Sequence, residues 1–237
     1  MMTFLLQIPV AVDSLGIDLA QTSESVEKTL SILDLMTSGG IGGQIIMITL
    51  GVLSILTVYL FSERFQVIKK AMKDDPHFMN KVKDYLSDNK VESVVALCDR
   101  SSSPVANMVA KGALSKNGTS KEIQEAMERQ GNLEIYKLEH NLASLATIAG
   151  AAPMIGFLGT VIGMILAFHE MASAGGQIDV EMLSKGIYTA MTTTVAGLIV
   201  GITAYLAYNQ LVVKVTKATF KMEQGTAEFL DVIAQSK

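Results

Sequence analysis

Hydroxyl and small side chains, rather than charged ones, carry the chemistry open to the apolar stretches of this sequence. Residues 186–213 hold Thr189, Thr192, Thr193, Thr194 and Thr203. A threonine hydroxyl donates one hydrogen bond and accepts through two lone pairs. It can therefore solvate a small cation or a buried carboxylate, but it does not exchange its own proton near neutral pH. On a helix Thr189 and Thr193 share a face one turn apart, and Thr194 points about 100° away from Thr193. The commonplace alternative for each is a bond back to the preceding turn. Residues 141–168 contain Gly156-x-x-Gly159-Thr160-x-x-Gly163, and 186–213 add Gly197-x-x-x-Gly201. Small residues at that spacing let helix backbones approach closely, which supports a tight bundle or ring.

Other chemistries lack their residues. No Gly-x4-Gly-Lys-Ser/Thr loop is present, and the cluster Gly39-Gly40-x-Gly42-Gly43 has no following lysine, so it reads as a flexible lead into the first apolar stretch. His77, His140 and His169 lie far apart with no Cys or His at metal spacing, so neither zinc nor any other cofactor is expected. His169 beside Glu170 reads as an interfacial pair rather than a proton relay. No serine or cysteine sits in a nucleophile elbow, and a net charge of −4 without a basic-aromatic patch argues against nucleic-acid binding. Enzyme catalysis is not expected.

The elements that must position the threonines follow from where charge is missing. Apolar residues make up 49% of the chain, and Lys, Arg, Asp and Glu are absent from 41–62, 141–168 and 186–213. Each stretch exceeds the roughly 20 residues that a transmembrane helix needs. The first is lipid-like. The second and third, rich in Gly, Ala and Thr, suit helices packed on helices. The segment 4–12 is apolar but too short to span, with no basic residue before it, and reads as an interfacial piece rather than a signal peptide. Val26, Leu30, Leu33, Leu35 and Met36 fall on one side of a helix, as a surface-lying amphipathic segment would place them; an untidy terminal extension is the alternative.

Orientation follows the basic residues. Residues 1–40 carry one Lys against five acids, and 169–185 one Lys against three. Residues 63–140 open with Arg64, Lys69, Lys70 and Lys73, and 214–237 open with Lys214, Lys217 and Lys221. The N-terminus and the 169–185 loop are therefore expected outside, and 63–140 with the C-terminal tail in the cytoplasm. Cys98, the one cysteine, then lies inside and reads as a small core residue.

Within 63–140, Asp75-Pro76 is a helix start carrying Phe78, Val82, Tyr85 and Leu86 on one face. Val91, Val94, Val95 and Cys98 suggest a second helix. Ser103-Pro104 begins a third, with Val105, Met108 and Val109 inward, before Asn117-Gly118 turns the chain. Thr119-x-x-Glu122 is a capping box. From there Ile123, Met127, Leu138, Leu142 and Leu145 run without a clear stop into the second span, as a long stalk helix would. No stretch alternates as a strand. The expected fold is all-α: an integral membrane protein with three transmembrane helices, the second and third long, and a helical cytoplasmic stalk domain.

The run Ala152-Pro153-Met154-Ile155-Gly156-Phe157-Leu158-Gly159-Thr160-Val161-Ile162-Gly163-Met164-Ile165-Leu166-Ala167-Phe168 resembles the second-span signature of the MotA/TolQ/ExbB proton-channel family. The run from Gly186 through Thr189, Thr193, Thr194 and Gly197 to Tyr208-Asn209 resembles its third-span signature, and Glu63-Arg64-Phe65 is also similar. The ExbB branch is the nearest in pattern. The resemblance implies a homopentameric ring in the bacterial inner membrane whose second and third spans line a pore. Inside would sit an ExbD-like single-span partner with an intramembrane aspartate, and a TonB-like protein would carry force to the outer membrane. The family's pore threonines correspond to Thr160 and Thr194, with Thr193 beside the latter. Some ExbB members carry glutamate where Thr189 stands, and the family often has proline where Thr203 stands. The resemblance therefore puts the ion-carrying acid on the partner, and the missing proline implies a straighter third helix. TolQ-like work on the envelope, another motor, a sodium-driven ring and a passive helical scaffold or channel remain open at this point.

Overall fold

A computed structural model describes residues 40–73, 75, 77–101, 103–173 and 180–235 of the chain. The expectations for the segments 4–12 and 26–36 lie outside these residues, as do Pro76 and the centre of the 169–185 loop. The described residues form seven helices and no strand: α1 (Gly40–Ala71), α2 (Phe78–Ser87), α3 (Val91–Asp99), α4 (Pro104–Leu114), α5 (Ser120–Glu139), α6 (Leu142–Ser173) and α7 (Val180–Gln235). Three helical stretches are long and apolar enough to cross a membrane, within Gly42–Ala71, Ser120–Ser173 and Gly186–Gln235.

Each span runs on past its charge-free stretch, because Leu, Met, Lys, Arg, Gln and Glu beyond the apolar limits are good helix formers. α1 is already helical at Gly40, so part of the glycine cluster expected to be a flexible lead belongs to the helix. Gly42 lies close to α6 there: a Cβ added to it would come within 3.3 Å of Ile162 Cγ2. α7 is one helix of 56 residues, about 84 Å long at ~1.5 Å per residue. It unites the third span with the C-terminal tail.

Two cores sit along α7. In the first, Ile46, Leu50 and Leu60 of α1 pack with Leu142, Leu145 and Ala152 of α6 and Ala204 and Leu211 of α7. In the second, Val82, Val94, Cys98, Val109, Ile123 and Met127 from α2 to α5 surround Phe229 near the far end of α7. Of the expected inward faces of α2 to α5, Val82, Leu86, Val94, Cys98, Met108, Val109, Ile123 and Met127 are buried. Burial, aided by the adjacent Asp99 charge, pushes the Cys98 thiol up to about 12, so it stays a neutral core group.

The caps follow the sequence signals closely. Thr119 Oγ1 accepts from Glu122 N–H at 3.3 Å while Glu122 Oε2 accepts from Thr119 N–H at 2.7 Å, and these bonds hold the Glu122 carboxyl below its ordinary value. Ser103 and Pro104 open α4. α2 begins at Phe78 with His77 as its N-cap residue, two residues beyond the start expected from a capping Asp75 followed by proline. Asp75 braces the turn ahead of α2, accepting from the His77 N–H at 3.0 Å and from the Lys81 ammonium at 2.9 Å. The one correction to topology lies between α5 and α6. The stalk does not run unbroken into the second span, because Asn141 adopts a left-handed φ of 65°. Asparagine tolerates that region better than most residues, and its apolar neighbours keep one periodicity across the break: Leu138, Leu142 and Leu145 are all buried.

Candidate functional site: a threonine–glycine seam

α6 and α7 meet along the small residues, and their backbones come close enough to exclude a Cβ at most of them. A Cβ at Gly156 would lie 2.8 Å from the Thr193 carbonyl and 3.1 Å from Gly197 Cα. One at Gly197 would lie 2.8 Å from the Ala152 carbonyl, and one at Gly163 2.8 Å from Ala190 Cβ. A Cβ at Gly159 would overlap the Thr193 hydroxyl.

Gly201 faces Pro153, whose Cγ would be 2.6 Å from an added Cβ. That proline stands inside α6 and, lacking an N–H, leaves the Ala149 carbonyl without its helical donor. The same added Cβ would be 3.2 Å from this oxygen. The kink-prone position of α6 is thus the place where α7 presents no side chain.

The threonines divide by partner. Thr193 is 2% exposed, and its Oγ1 lies 2.7 Å from the Ala190 carbonyl and 3.2 Å from the Gly156 carbonyl across the seam. Thr194, half-buried, donates to the same Gly156 carbonyl at 3.1 Å. Neither is confined to its own preceding turn. Two hydroxyls therefore converge on one carbonyl, and Thr160 stands one turn along α6 from it, donating to Phe157 O at 2.6 Å. Thr189, one turn before Thr193, is half-buried. Thr192 and Thr203 bond back to Tyr188 and Ile199, at 3.0 and 2.7 Å, and α7 passes Thr203 unbroken.

Thr193 thus lies between the helices, while Thr160, Thr189 and Thr194 keep part of their surface outside the α6–α7 contact. Chemically the arrangement offers neutral oxygens beside an apolar wall: Phe157, Val161, Met191 and Val195 are exposed next to it. It can hydrogen-bond or solvate a group brought to it. It supplies no acid or base of its own, since 141–168 and 186–213 contain no Asp, Glu, Lys or Arg.

Sequence reasoning passed over two buried charges outside the charge-free stretches. Arg64 and Glu134 are 8% and 6% exposed. Arg64 counted as part of a basic flank and of the family-like Glu63-Arg64-Phe65, and Glu134 falls on the stripe of Ile123, Met127 and Leu138, where a carboxylate is rarely buried unless paired.

Comparison with known proteins agrees with the geometry. Residues 100–224, which hold the whole seam, match the MotA/TolQ/ExbB proton channel family. The chain is 31% identical over 218 residues to the Tol-Pal system protein TolQ of Haemophilus influenzae, covering 85% of this chain and 91% of that one. It is 25% identical over 194 residues to a putative biopolymer transport protein ExbB homolog of Methanothermobacter thermautotrophicus, covering 81% and 67%. Over 83 residues it is 39% identical to the biopolymer transport protein ExbB of Helicobacter pylori, covering 35% and 54%. With its matched region spanning more than half of the sequence and its spans packed on the glycines of that region, this membrane protein belongs to the MotA/TolQ/ExbB proton channel family.

Proposed function

We propose that the chain is a ring-forming subunit of an ion-driven motor in the inner membrane, of the ExbB–ExbD type, which energises TonB-dependent transport across the outer membrane. The observation that carries this reading is the pair of partly open hydroxyls, Thr160 and Thr194, set about the Gly156 carbonyl in helices free of charged residues. A proton crossing the bilayer needs a group that is charged and neutral in turn, and threonine is not one. The carrier is therefore an acid outside these helices, and the family resemblance puts it on a single-span partner inside a homopentameric ring. An ionised carboxylate at that depth is costly, and hydroxyls around it offset part of the cost. A membrane potential supplies ~2.3 kcal/mol per charge for each 100 mV.

In this reading Thr160, Thr194 and Thr189 line the ion path, and Thr193 fixes the wall behind them. The N-terminus lies outside the inner membrane, and the α2–α5 bundle and the C-terminus lie in the cytoplasm.

Changing Thr160 or Thr194 to Val is expected to abolish energised uptake of a TonB-dependent substrate while the ring and its single-span partner still co-purify. Undiminished uptake in both variants would overturn the reading. The extent of the likeness to TolQ favours a second reading, work on envelope integrity. Under that reading the same variants leave uptake intact and make cells sensitive to detergent.

A further inference from the structure

The charged residues at the inner end of α1 do more than flank a span. Arg64 is 8% exposed, although a buried guanidinium is costly unless fully paired. Its Nη2 pairs with Glu63 Oε1 at 2.5 Å, and its Nη1 donates to the Lys137 carbonyl at 3.4 Å. Its Nε is buried with no hydrogen-bond partner. Lys137 lies in the last turn of α5, where the helix has no donors left for its carbonyls, just before the left-handed Asn141. The Lys137 ammonium reaches Glu134 Oε1 at 2.8 Å, and that buried oxygen also accepts from Asn107 Nδ2 at 3.1 Å on α4. One run of charged and polar groups, Glu63, Arg64, Lys137, Glu134 and Asn107, therefore ties α1 to the end of α5 and on to α4, beside the break.

As a source of stability this run is poor. Replacing a buried ion pair by apolar groups is often neutral, and here one donor is left unpaired as well. What a guanidinium does supply is direction, because its planar fork fixes two partners at once. We propose that Arg64 is a positioning residue that locks the angle between α5 and α6, so that the cytoplasmic helices follow the membrane hairpin instead of swinging at Asn141. The lock is a property of the chain itself, independent of what the motor drives.

The test uses the full chain in lipid nanodiscs, spin-labelled at cysteines replacing the exposed Lys121 and Ser144 on either side of the break. The parent chain should give one narrow distance distribution. Arg64→Met should broaden it by about twofold or more, as a freed hinge would, with the thermal midpoint little changed and the α6–α7 amides still protected from hydrogen exchange. Arg64→Lys, with one ammonium for two partners, should fall between. If Arg64→Met does not insert, Arg64→Gln, which keeps donors but loses the fork, carries the same expectation. An unchanged distribution in a folded variant overturns the lock, as does broadening that appears only together with loss of protection along α6 and α7. Broadening in a chain whose Thr160 and Thr194 variants still energise uptake would leave the lock standing and the motor reading fallen.

Discussion

Thr193 and Thr194 are adjacent in sequence and about 100° apart around α7, and that angle separates two roles. Thr193 is enclosed, its hydroxyl shared between the Ala190 and Gly156 carbonyls. Thr194 reaches the same Gly156 oxygen from the rim of the seam. Thr193→Val keeps the shape and removes the donor, so it should destabilise the α6–α7 pair by about 1 kcal/mol, read as a lower thermal midpoint of the chain in nanodiscs. Uptake should then fall only as far as assembly falls. Thr194→Val should do the opposite, costing little stability and most of the function. Equal effects of the two variants on both readouts would contradict this division. That hydroxyls matter was legible in the sequence; which one is enclosed was not, since a face is defined only against a neighbour.

At the scale of elements, the seam rests on glycines that leave no room for a methyl group. Gly156→Ala would place a Cβ 2.8 Å from the Thr193 carbonyl, an overpacking that costs roughly 1–3 kcal/mol. The same change at Gly150, where a Cβ meets nothing within 4 Å, should instead stabilise α6 by about 0.5–1 kcal/mol, the usual gain for Ala over Gly in a helix interior. Opposite shifts in thermal midpoint would confirm the contrast; a drop in both would place the sensitivity in the glycine backbone and not in the contact. The small-xxx-small spacing announced close packing, and the capping box and Ser103-Pro104 announced helix starts, because these are local signals. The break at His140 and Asn141 gave none. Its apolar periodicity continues across the joint, and the left-handed residue there is an asparagine, not a glycine.

Across the whole molecule, α7 belongs to both cores, meeting Leu145 and Ala152 at one end and Val109 and Met127 at the other. Phe229 is fully buried in the second core, against Gly112, where a Cβ would lie 2.5 Å from its ring. Phe229→Ala should therefore cost about 3–5 kcal/mol, concentrated in the α2–α5 bundle. Hydrogen exchange should quicken in α2 to α5 and stay slow in α6 and in α7 near Gly197. Uniform quickening would mean that the two cores unfold as one. The sequence by itself determined the three charge-free stretches, the all-helical class, the threonine and glycine positions and most inward faces of α2 to α5, because each depends on composition or on periodicity about a helix's own axis. Only the tertiary structure decided that Thr193 is sealed between α6 and α7 while Thr194 is not, and that Arg64 turns inward to the end of α5. Those outcomes depend on how helices rotate and approach one another, and residues 37 to 73 positions apart set them.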